Sequence, residues 1–484
     1  MSEILASTIQ LKGACIDNEW IYSDKEFKVI NPATSDIIAT VADCGSIETH
    51  KAIEAAGKAF ESWSKTTAKE RSVILKKWFH LILENREKIA RTMTMEQGKP
   101  LSESLGEVVY GASFIEWFAE EATRSYGETI PSPAAHKKLL TIKQPIGVVA
   151  AITPWNFPVA MVTRKLGPAI AAGCTVILKP SEETPLCSLL LMELAIEAGL
   201  PKGVLNVITT TEAALVGSIL TSHPAVKKIS FTGSTAVGKL LMQQSSTTLK
   251  KLSLELGGNA PLIVFDDADI DVAVKATMAS KFRNAGQTCV CANRIYVQTG
   301  IYLPFVEALK SAVSELVVGD GLLPNITIGP LINKKAKDKV YSLLNNAIEN
   351  GAELILGSSN NAKDSLFCEP IIITNCTPDM DISKEEIFGP LLAIYIFDKD
   401  DEVIKLANDT PYGLAAYFFS QNINRCWNTM EQLQYGMIGI NEGIISHAEA
   451  PFGGIKESGF GKEGGSYGLE EYLITKYVCL NTRQ

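Results

Sequence analysis

Short apolar runs alternate with amphipathic segments along most of the chain after residue 147. Val148–Ile152 predicts a strand, and Val159–Ala172, which stops before Gly173, predicts the helix that follows it. The same alternation predicts further strands at Thr175–Leu178, Val204–Ile208, Lys228–Phe231 and Leu252–Leu256, with helices at Leu186–Ala198 and from Ser234 onwards. Apolar strands joined by helical crossovers are typical of a parallel sheet that is covered on both faces.

A second series of the same kind begins near Leu254. It contains a predicted helix at Ile270–Arg283 and predicted strands at Arg294–Gln298, Glu353–Leu356, Leu392–Phe397 and Met437–Asn441. Two more apolar stretches, Lys138–Lys143 and Tyr472–Leu480, fit neither series and predict paired edge strands that a partner subunit would cover. The pattern therefore predicts an α/β protein with two parallel-sheet units, the second of which begins near Leu254.

Composition narrows the classes of function. A chain of 484 residues that is 46% hydrophobic and 20% charged is typical of a folded soluble protein with a large core. The net charge of −9, with no basic stripe, argues against nucleic acid as a partner. The N-terminus lacks the features of a secretory signal, and no apolar run approaches the roughly 18 residues of a membrane helix. Ten dispersed cysteines predict a reducing cytoplasm and no metal site.

Two glycine motifs resemble phosphate loops. Gly459–Gly464 has the spacing of a dinucleotide loop, but no predicted strand precedes it, so a glycine-rich turn is the better interpretation. Gly233–Lys239 follows a strand and nearly matches a P-loop, yet Leu240 stands where that motif needs a hydroxyl to hold magnesium. A nucleoside triphosphatase is thus a rival hypothesis that lacks its metal ligand. The glycines could still face a phosphate through backbone N–H groups at a helix N-terminus.

The strongest chemical signal is Phe282–Arg294, where a predicted helix ends in Asn-Ala-Gly and presents Cys289 in a polar turn. A single cysteine in such a chain is more often a small buried apolar residue. Upstream, Glu255 stands between leucines at a strand end, where burial would raise its pKa toward that of a general base. A structural ion pair is the commoner role for a lone acid in such a place.

Several motifs occur together in the order found in one family. Pro154–Pro158, Glu255–Gly258, Asn284–Cys289 and Glu386–Pro390 make the chain similar to the aldehyde dehydrogenase superfamily, and the similarity runs from Asn31–Thr34 to Pro451–Lys456. Within it, Phe282–Asn293 and Asn441–Ser446 most resemble succinate-semialdehyde dehydrogenases. The resemblance implies the aldehyde dehydrogenase fold, with a Rossmann-like cofactor domain at 1–122 and 145–253 and a catalytic domain at 254–462. A β element at 123–144 and 463–484 would join subunits into a homodimer or homotetramer.

The resemblance also implies a mechanism. Cys289 attacks an aldehyde as the thiolate, which the site is expected to favour. The side-chain N–H of Asn156 and the backbone N–H of Cys289 would stabilise the resulting alkoxide. After hydride passes to a nicotinamide cofactor, Glu255 would activate the water that hydrolyses the thioester to a carboxylic acid. A scaffolding relative with an inactive site is disfavoured, because these residues and Lys179 are all present.

The family resemblance extends to a cofactor site. Lys179 and Glu182 would contact the adenosine ribose, and the charge of Glu182 would repel a 2′-phosphate, so we predict NAD as preferred, with NADP possible. The alternative role of Glu182 is to cap the following helix. The remaining predicted cofactor contacts are Trp155, Ser181, Gly233, Ser234, Gly238, Leu256, Glu386 and Phe388.

Three residues match those that bind the distal carboxylate of the substrate in succinate-semialdehyde dehydrogenases: Arg164, Arg283 and Ser446. An arginine presents a planar fork suited to a carboxylate, although each arginine alone would more often form a surface ion pair. We therefore predict succinate semialdehyde as the small-molecule substrate. Glutarate semialdehyde, which is one methylene longer, stays open.

Cys291 carries a separate hypothesis. Some family members form a reversible disulfide between the nucleophile and a cysteine two residues later. If this segment is extended, the two Cα atoms lie about 6.5 Å apart, near the upper limit for a bridge, so the loop would have to move. The alternative for Cys291 is a small packed thiol.

Overall fold

The computed structural model describes residues 13–362 and 365–482. Its strands are β1 (Ala14–Ile16), β2 (Glu19–Ile21), β3 (Glu26–Ile30), β4 (Ile37–Ala42), β5 (Thr129–Ile130), β6 (Lys137–Pro145), β7 (Val148–Ile152), β8 (Thr175–Lys179), β9 (Leu205–Val207), β10 (Val226–Thr232), β11 (Lys251–Glu255), β12 (Ala260–Val264), β13 (Ala292–Gln298), β14 (Glu353–Leu356), β15 (Ile371–Thr374), β16 (Leu391–Phe397), β17 (Ala415–Phe419), β18 (Met437–Ile440), β19 (Gly459–Phe460) and β20 (Leu473–Asn481). Its α-helices are α1 (Ser46–Trp63), α2 (Ala68–Glu84), α3 (Arg86–Gln97), α4 (Leu101–Glu121), α5 (Ala160–Ala172), α6 (Leu186–Glu197), α7 (Ala213–Ser222), α8 (Thr235–Ser245), α9 (Ile270–Lys281), α10 (Tyr302–Ser314), α11 (Lys334–Glu349), α12 (Asp381–Lys384), α13 (Asp400–Asn408), α14 (Ile423–Gln432) and α15 (Gly465–Glu470).

An eight-stranded sheet forms most of the first unit, in the order β19-β11-β10-β7-β8-β9-β1-β2. The strands from β11 to β9 run parallel, and the edge strands are antiparallel. Successive side chains of β7 point to opposite faces, so Val149 and Ala151 pack in one hydrophobic cluster and Val148 and Ala150 in another. The prediction of a parallel sheet covered on both faces is confirmed.

The second unit contains a seven-stranded sheet in the order β14-β15-β16-β13-β12-β17-β18, parallel except for β14. Strands β20, β6 and β5 form a separate antiparallel sheet, in which β20 and β6 pair along their whole lengths. The two stretches that fitted neither series are therefore each other's partners, as predicted. Within the described residues, no helix is both long and apolar enough to cross a membrane.

The predicted strands and helices agree with the structure to within two residues at each end. The division of the chain into units stays a prediction, and two features bear on it. The expected boundary at 253/254 falls inside β11, which belongs entirely to the first sheet. Strand β19, which follows the second sheet in the chain, returns to the first sheet and pairs with β11. The chain therefore passes from the first unit to the second and returns to the first, so more than one segment connects the two units.

Candidate active site

A strained turn precedes the loop that carries the predicted nucleophile, Cys289, and this loop is called the nucleophile loop below. Helix α9 ends at Lys281, two residues before its predicted end, and Asn284 (φ 53°), Ala285 (φ 54°) and Gly286 (φ 74°) then adopt left-handed conformations in succession. Each non-glycine residue in this region costs about 1–2 kcal/mol, so surrounding contacts must hold the turn. At Gly286 a Cβ would collide with the carbonyl oxygen of Gly389, which explains the glycine. The loop that follows is consequently fixed in place.

Cys289 lies in that loop, half-buried, at the wall of a cavity of about 610 Å³. Gly258 packs so closely against the Cys289 carbonyl oxygen that a Cβ there would overlap it. Burial raises the pKa of Cys289 to about 12, and the positive charges of Arg164 and Arg283 only partly oppose this effect. The expectation that the protein alone favours the thiolate is therefore wrong, because desolvation outweighs the nearby charges. As the predicted nucleophile, Cys289 would therefore need a base to lose its proton.

Glu255 is the last residue of β11 and is 2% exposed. Neither of its carboxylate oxygens has a hydrogen-bond partner, and a Cβ on Gly453 would lie 2.7 Å from Oε1. Burial, followed by the negative charge of Glu463, raises the pKa of Glu255 well above the ordinary carboxyl range. This agrees with the expected effect of burial, and a raised pKa makes the carboxylate a stronger base.

A buried charged group adjoins Glu255. The Lys165 ammonium donates to Glu463 Oε1 and, at 2.6 Å, to Thr232 Oγ1. The Arg164 Nε lies 3.0 Å from Glu463 Oε2, although the angle is too poor for a hydrogen bond. Lys165 and Glu463 were not predicted as residues of the site. The one local signal for them was Thr232, a polar residue at the end of the apolar strand β10 that accepts from Lys165.

Asn156 is held by both its backbone and its side chain. Its carbonyl oxygen accepts hydrogen bonds from Lys99 Nζ (2.7 Å) and Asn284 Nδ2 (2.9 Å). Its own Nδ2 donates to the carbonyl oxygen of Gln287 at 3.0 Å. Because a side-chain amide carries two N–H groups, this bond orients the amide and leaves one donor for a ligand. Asn156 also lines the cavity together with Cys289, as the predicted oxyanion donor must.

The cavity extends from Cys289 to Glu182. Most of the predicted cofactor contacts line it, namely Trp155, Ser181, Glu182, Gly233, Ser234, Leu256, Glu386 and Phe388. At one end, Lys179 is buried behind the lining and donates to Glu182 Oε2 at 3.1 Å. Ser234 caps helix α8, so the N-terminal N–H groups of that helix lie at the cavity wall. Gly238 does not line the cavity; it packs within α8 against Leu256.

The other end of the cavity is aromatic and acidic. The rings of Trp155 and Phe388 meet edge to face, with centroids 5.6 Å apart, and Phe388 has a left-handed backbone (φ 57°). Glu386 Oε1 accepts the backbone N–H of Gly258 at 3.1 Å, and burial raises the pKa of Glu386 to about 7. A helix N-terminus, a buried lysine and a hydrogen-bonded carboxylate along one cleft fit the phosphates and riboses of a dinucleotide.

The two predicted substrate arginines lie near the nucleophile, since the charges of both act on Cys289. The Arg164 guanidinium is 4.0 Å from the centroid of Phe452, and its Nη2 has no hydrogen-bond partner. The Arg283 guanidinium lies over Phe157 at 5.3 Å, and its Nε also lacks a partner. Ser446 lies in the half-buried segment after β18, and its approach to the arginines stays a prediction.

Cys291 is buried, and its backbone N–H donates to the Thr288 carbonyl at 3.1 Å. Residues 288–291 therefore form a turn, and the assumption of an extended segment is wrong. The Cys291 Sγ lies 3.6 Å from the carbonyl oxygens of Lys281 and Ala292. A disulfide switch with Cys289 stays a prediction. In residues 13–362 and 365–482, no group of three or more His, Cys, Asp or Glu side chains could hold a metal ion.

Comparison with known proteins gives consistent matches over almost the whole chain. The model of the aldehyde dehydrogenase family matches residues 20–478. The NADP(+) succinate-semialdehyde dehydrogenase GabD of Escherichia coli (strain K12) is 54% identical over 469 residues, 96% of this chain and 97% of that protein. A glutarate-semialdehyde dehydrogenase of Pseudomonas aeruginosa is 53% identical over 469 residues, with 96% and 97% covered. The crystal structure of an NADP-dependent E. coli enzyme has a TM-score of 0.97 and 53% identity, covering 98% of this chain and 99% of that one.

Proposed function

The chain belongs to the aldehyde dehydrogenase family, and we propose that it oxidises succinate semialdehyde to succinate with NAD or NADP as the hydride acceptor. One observation carries the choice of substrate. Arg164 and Arg283 both keep guanidinium N–H groups without a partner, inside the protein and beside Cys289. Arg164 also pairs with Glu463, but guanidinium N–H groups without hydrogen bonds are costly when buried, so an anionic ligand is the natural counterpart of both arginines. Succinate semialdehyde carries a carboxylate at the end opposite its aldehyde.

In the proposed first half-reaction, the Cys289 sulfur attacks the aldehyde carbon and its proton passes to a base. Glu255 is that base, because its raised pKa lets the carboxylate hold the proton. The carbonyl oxygen becomes an alkoxide that accepts hydrogen bonds from the Asn156 side chain and the Cys289 backbone. One such donor typically lowers a barrier by about 3 kcal/mol. When bound, NAD or NADP supplies the hydride acceptor.

In the second half-reaction, Cys289 holds the acyl group as a thioester. Glu255 first releases the proton that it took from Cys289 to solvent, and then takes a proton from a water molecule, whose oxygen attacks the thioester carbon. The carbon–sulfur bond breaks, the carboxylic acid leaves, and the proton returns to the Cys289 sulfur. Arg164 and Arg283 would hold the distal carboxylate through both half-reactions, which keeps the reacting carbon beside the sulfur.

The test is a comparison of three aldehydes with the purified protein, followed through the absorbance of the reduced cofactor. We expect kcat/KM to be highest for succinate semialdehyde and far lower for butanal, which has the same carbon count but no carboxylate. Glutarate semialdehyde is the second candidate, because a relative of almost equal identity is named for it. Equal efficiency with butanal would contradict an anionic substrate.

Replacing Arg283 with alanine should weaken binding of the anionic substrate. A hydrogen bond to a charged group contributes about 1.5–3 kcal/mol, so KM for succinate semialdehyde should rise roughly 10- to 100-fold. The KM for butanal should change little, and Arg283→Lys should lie between the two because it keeps the charge but loses the planar fork. Steady-state kinetics with both aldehydes measure the difference, and equal losses would refute an anion-binding role.

We propose that NAD is preferred over NADP, because the exposed part of Glu182 brings a negative charge to the cavity. In a Glu182→Ser variant, kcat/KM with NAD should fall and that with NADP should rise, by about tenfold in their ratio, which corresponds to about 1.4 kcal/mol. A Glu183→Gln variant is the matched control at the adjacent acid. The name of the E. coli relative points to NADP, so an unchanged cofactor preference would reject the assignment to Glu182.

We also propose that the protein is a homodimer or homotetramer. Apolar side chains stand exposed on β20 and on α8, among them Tyr477 (59%), Leu480 (55%) and Met242 (51%). Contiguous apolar surface on a folded chain usually marks an interface.

Eight of the ten cysteines are buried free thiols, which supports a reducing compartment such as the cytoplasm.

A further inference from the structure

A charged cluster near the start of α4 has no role in the mechanism above. Lys99 lies two residues before the helix, and Glu103 and Glu107, four residues apart, share one face of its first turns. The side chains of Lys99 and Glu107 are only 0% and 2% exposed. A buried ion pair is weak evidence for stability, because the cost of desolvation offsets the attraction between the charges. The contacts of the cluster indicate another purpose.

Lys99 and Glu107 anchor the loop that carries Asn156 at two points along the chain. Lys99 Nζ lies 2.5 Å from Glu107 Oε2 and donates to the Asn156 carbonyl oxygen at 2.7 Å. Glu107 Oε1 accepts the backbone N–H groups of Val159 (2.9 Å) and Ala160 (3.2 Å), at the start of α5. The loop before α5 is thus anchored at Asn156 and again at the helix N-terminus, where a carboxylate is favourable.

Glu103 holds the nucleophile loop in the same way. Its Oε2 accepts the backbone N–H of Asn284 at 2.8 Å, at the first of the left-handed residues. The Asn284 side chain then donates to the Asn156 carbonyl oxygen, and Asn156 Nδ2 donates to the Gln287 carbonyl oxygen. The two loops therefore meet through two reciprocal hydrogen bonds, and both are fastened to one face of α4.

An aromatic contact completes the cluster. Two cations lie near the ring of Phe157, with Lys99 Nζ 3.9 Å and the Arg283 guanidinium carbon 5.3 Å from its centroid. Cations near an aromatic ring are attracted to its π system. Lys99 therefore contacts the residue after Asn156 as well as Asn156 itself, and through Phe157 it adjoins the proposed substrate arginine.

We propose that Lys99, with Glu103 and Glu107, is a positioning group that fixes the Asn156 amide relative to Cys289 and so aligns the site for the substrate oxygen. The proposal rests on the proposed function only in taking Asn156 as the donor to that oxygen. Such donors act at about 2.7–3.1 Å, and a displacement of about 1 Å can cost about 100-fold in rate. The neighbouring anchors of Asn156 are side chains of the same network, so loss of Lys99 should loosen the whole contact.

The first experiment is Lys99→Met. We expect kcat to fall about 100-fold while KM changes little, because the lost alignment matters most in the transition state. Glu107→Gln keeps an oxygen for the α5 amides but loses the charge, so its loss of kcat should be smaller. Lys250→Met is the matched control: Lys250 is a buried lysine that also donates to backbone carbonyls, those of His223 and Val226, and its loss should leave kcat unchanged.

The decisive measurement is a double-mutant cycle with Asn156→Ala. If Lys99 acts through Asn156, adding Lys99→Met to Asn156→Ala should cause almost no further loss of kcat. Independent losses that multiply would overturn the proposal, as would an unchanged kcat in Lys99→Met alone. If Lys99→Met does not fold, as judged by circular dichroism, the same cycle is run with Glu107→Gln and decided by the same criterion.

The cycle is measured with butanal as well as with succinate semialdehyde. A wrong substrate assignment would appear as a failure to prefer the anionic aldehyde, whereas a wrong positioning role would appear as multiplying losses with both aldehydes. The rate at which iodoacetamide alkylates Cys289 should be the same in Lys99→Met and wild type, because the proposal moves the donor and leaves the sulfur in place. Loss of that reactivity would indicate general disruption of the loop and overturn the proposal.

Discussion

Replacing Cys289 with serine is expected to reduce aldehyde oxidation by on the order of 10⁴-fold or more, the scale seen when a catalytic nucleophile is lost. A serine hydroxyl keeps the geometry but holds its proton far more tightly than a thiol. The thiol itself already has a pKa raised to about 12 by burial, so the site has little capacity to ionise a still weaker acid. The measurement is formation of reduced cofactor in a single turnover at high protein concentration.

Cys291→Ser is the control for this variant. Cys291 is buried in the same turn, but its sulfur faces the carbonyl oxygens of Lys281 and Ala292. We expect this variant to retain most of the wild-type kcat. If Cys289→Ser stayed within tenfold of wild type while Cys291→Ser lost activity, the nucleophile would have been assigned to the wrong sulfur.

Replacing Glu255 with glutamine should separate the two half-reactions. Glutamine has nearly the same shape but cannot take a proton, so hydrolysis of the thioester should slow by about 10²- to 10⁴-fold. Solvent can also take the Cys289 proton, whereas the hydrolytic water has to be activated in place, so mixing with substrate and cofactor should give a burst of about one reduced cofactor per site, followed by a slow phase. Mass spectrometry should then find the acyl group on Cys289. Full steady-state turnover in this variant would reject Glu255 as the base.

Glu255→Gln should lower the activity of the protein but raise the stability of its folded state at neutral pH. The pKa of Glu255 is raised in the folded protein, so its contribution to stability is fully present below the pKa of the unfolded chain and is lost as pH rises above it. At neutral pH the wild type therefore bears the cost of a buried carboxyl group without partners, and Glu255→Gln lacks the ionisable group. We expect a higher Tm for the variant at neutral pH than for wild type, with a difference that shrinks as the pH falls toward about 4.

Much of the fold could be predicted because central parallel strands are buried on both faces. Val148–Ile152 and Thr175–Lys179 read as short apolar runs between glycine and proline, and the structure places them side by side. Helices α1 to α4 were not predicted, because their polar and apolar positions do not follow a strand–helix alternation. The return of β19 to the first sheet also escaped prediction, since it joins residues about 200 positions apart and no local pattern encodes such a pairing.

The active site could likewise be predicted only in part from the sequence. Cys289, Glu255 and Asn156 stand in motifs that a family resemblance can identify, and their neighbours in the chain indicate the chemistry. The pKa of Cys289 could not be predicted, because its burial depends on Gly258 and on a cavity built by several distant segments. Lys99 and Glu107 escaped notice for the same reason: they contact Asn156 and Val159 across 57 and 52 residues of chain.

Strand β19 limits how the molecule could be divided or recombined. It places Gly459 opposite Glu255 in the sheet, at a position where any side chain would collide with the Leu254 carbonyl oxygen. A fragment that ended with the second sheet would expose the edge strand that carries Glu255, the proposed general base. Chimeras between two such enzymes should therefore inherit residues 459–472 from the parent that supplies the first sheet, even though this segment lies at the far end of the gene.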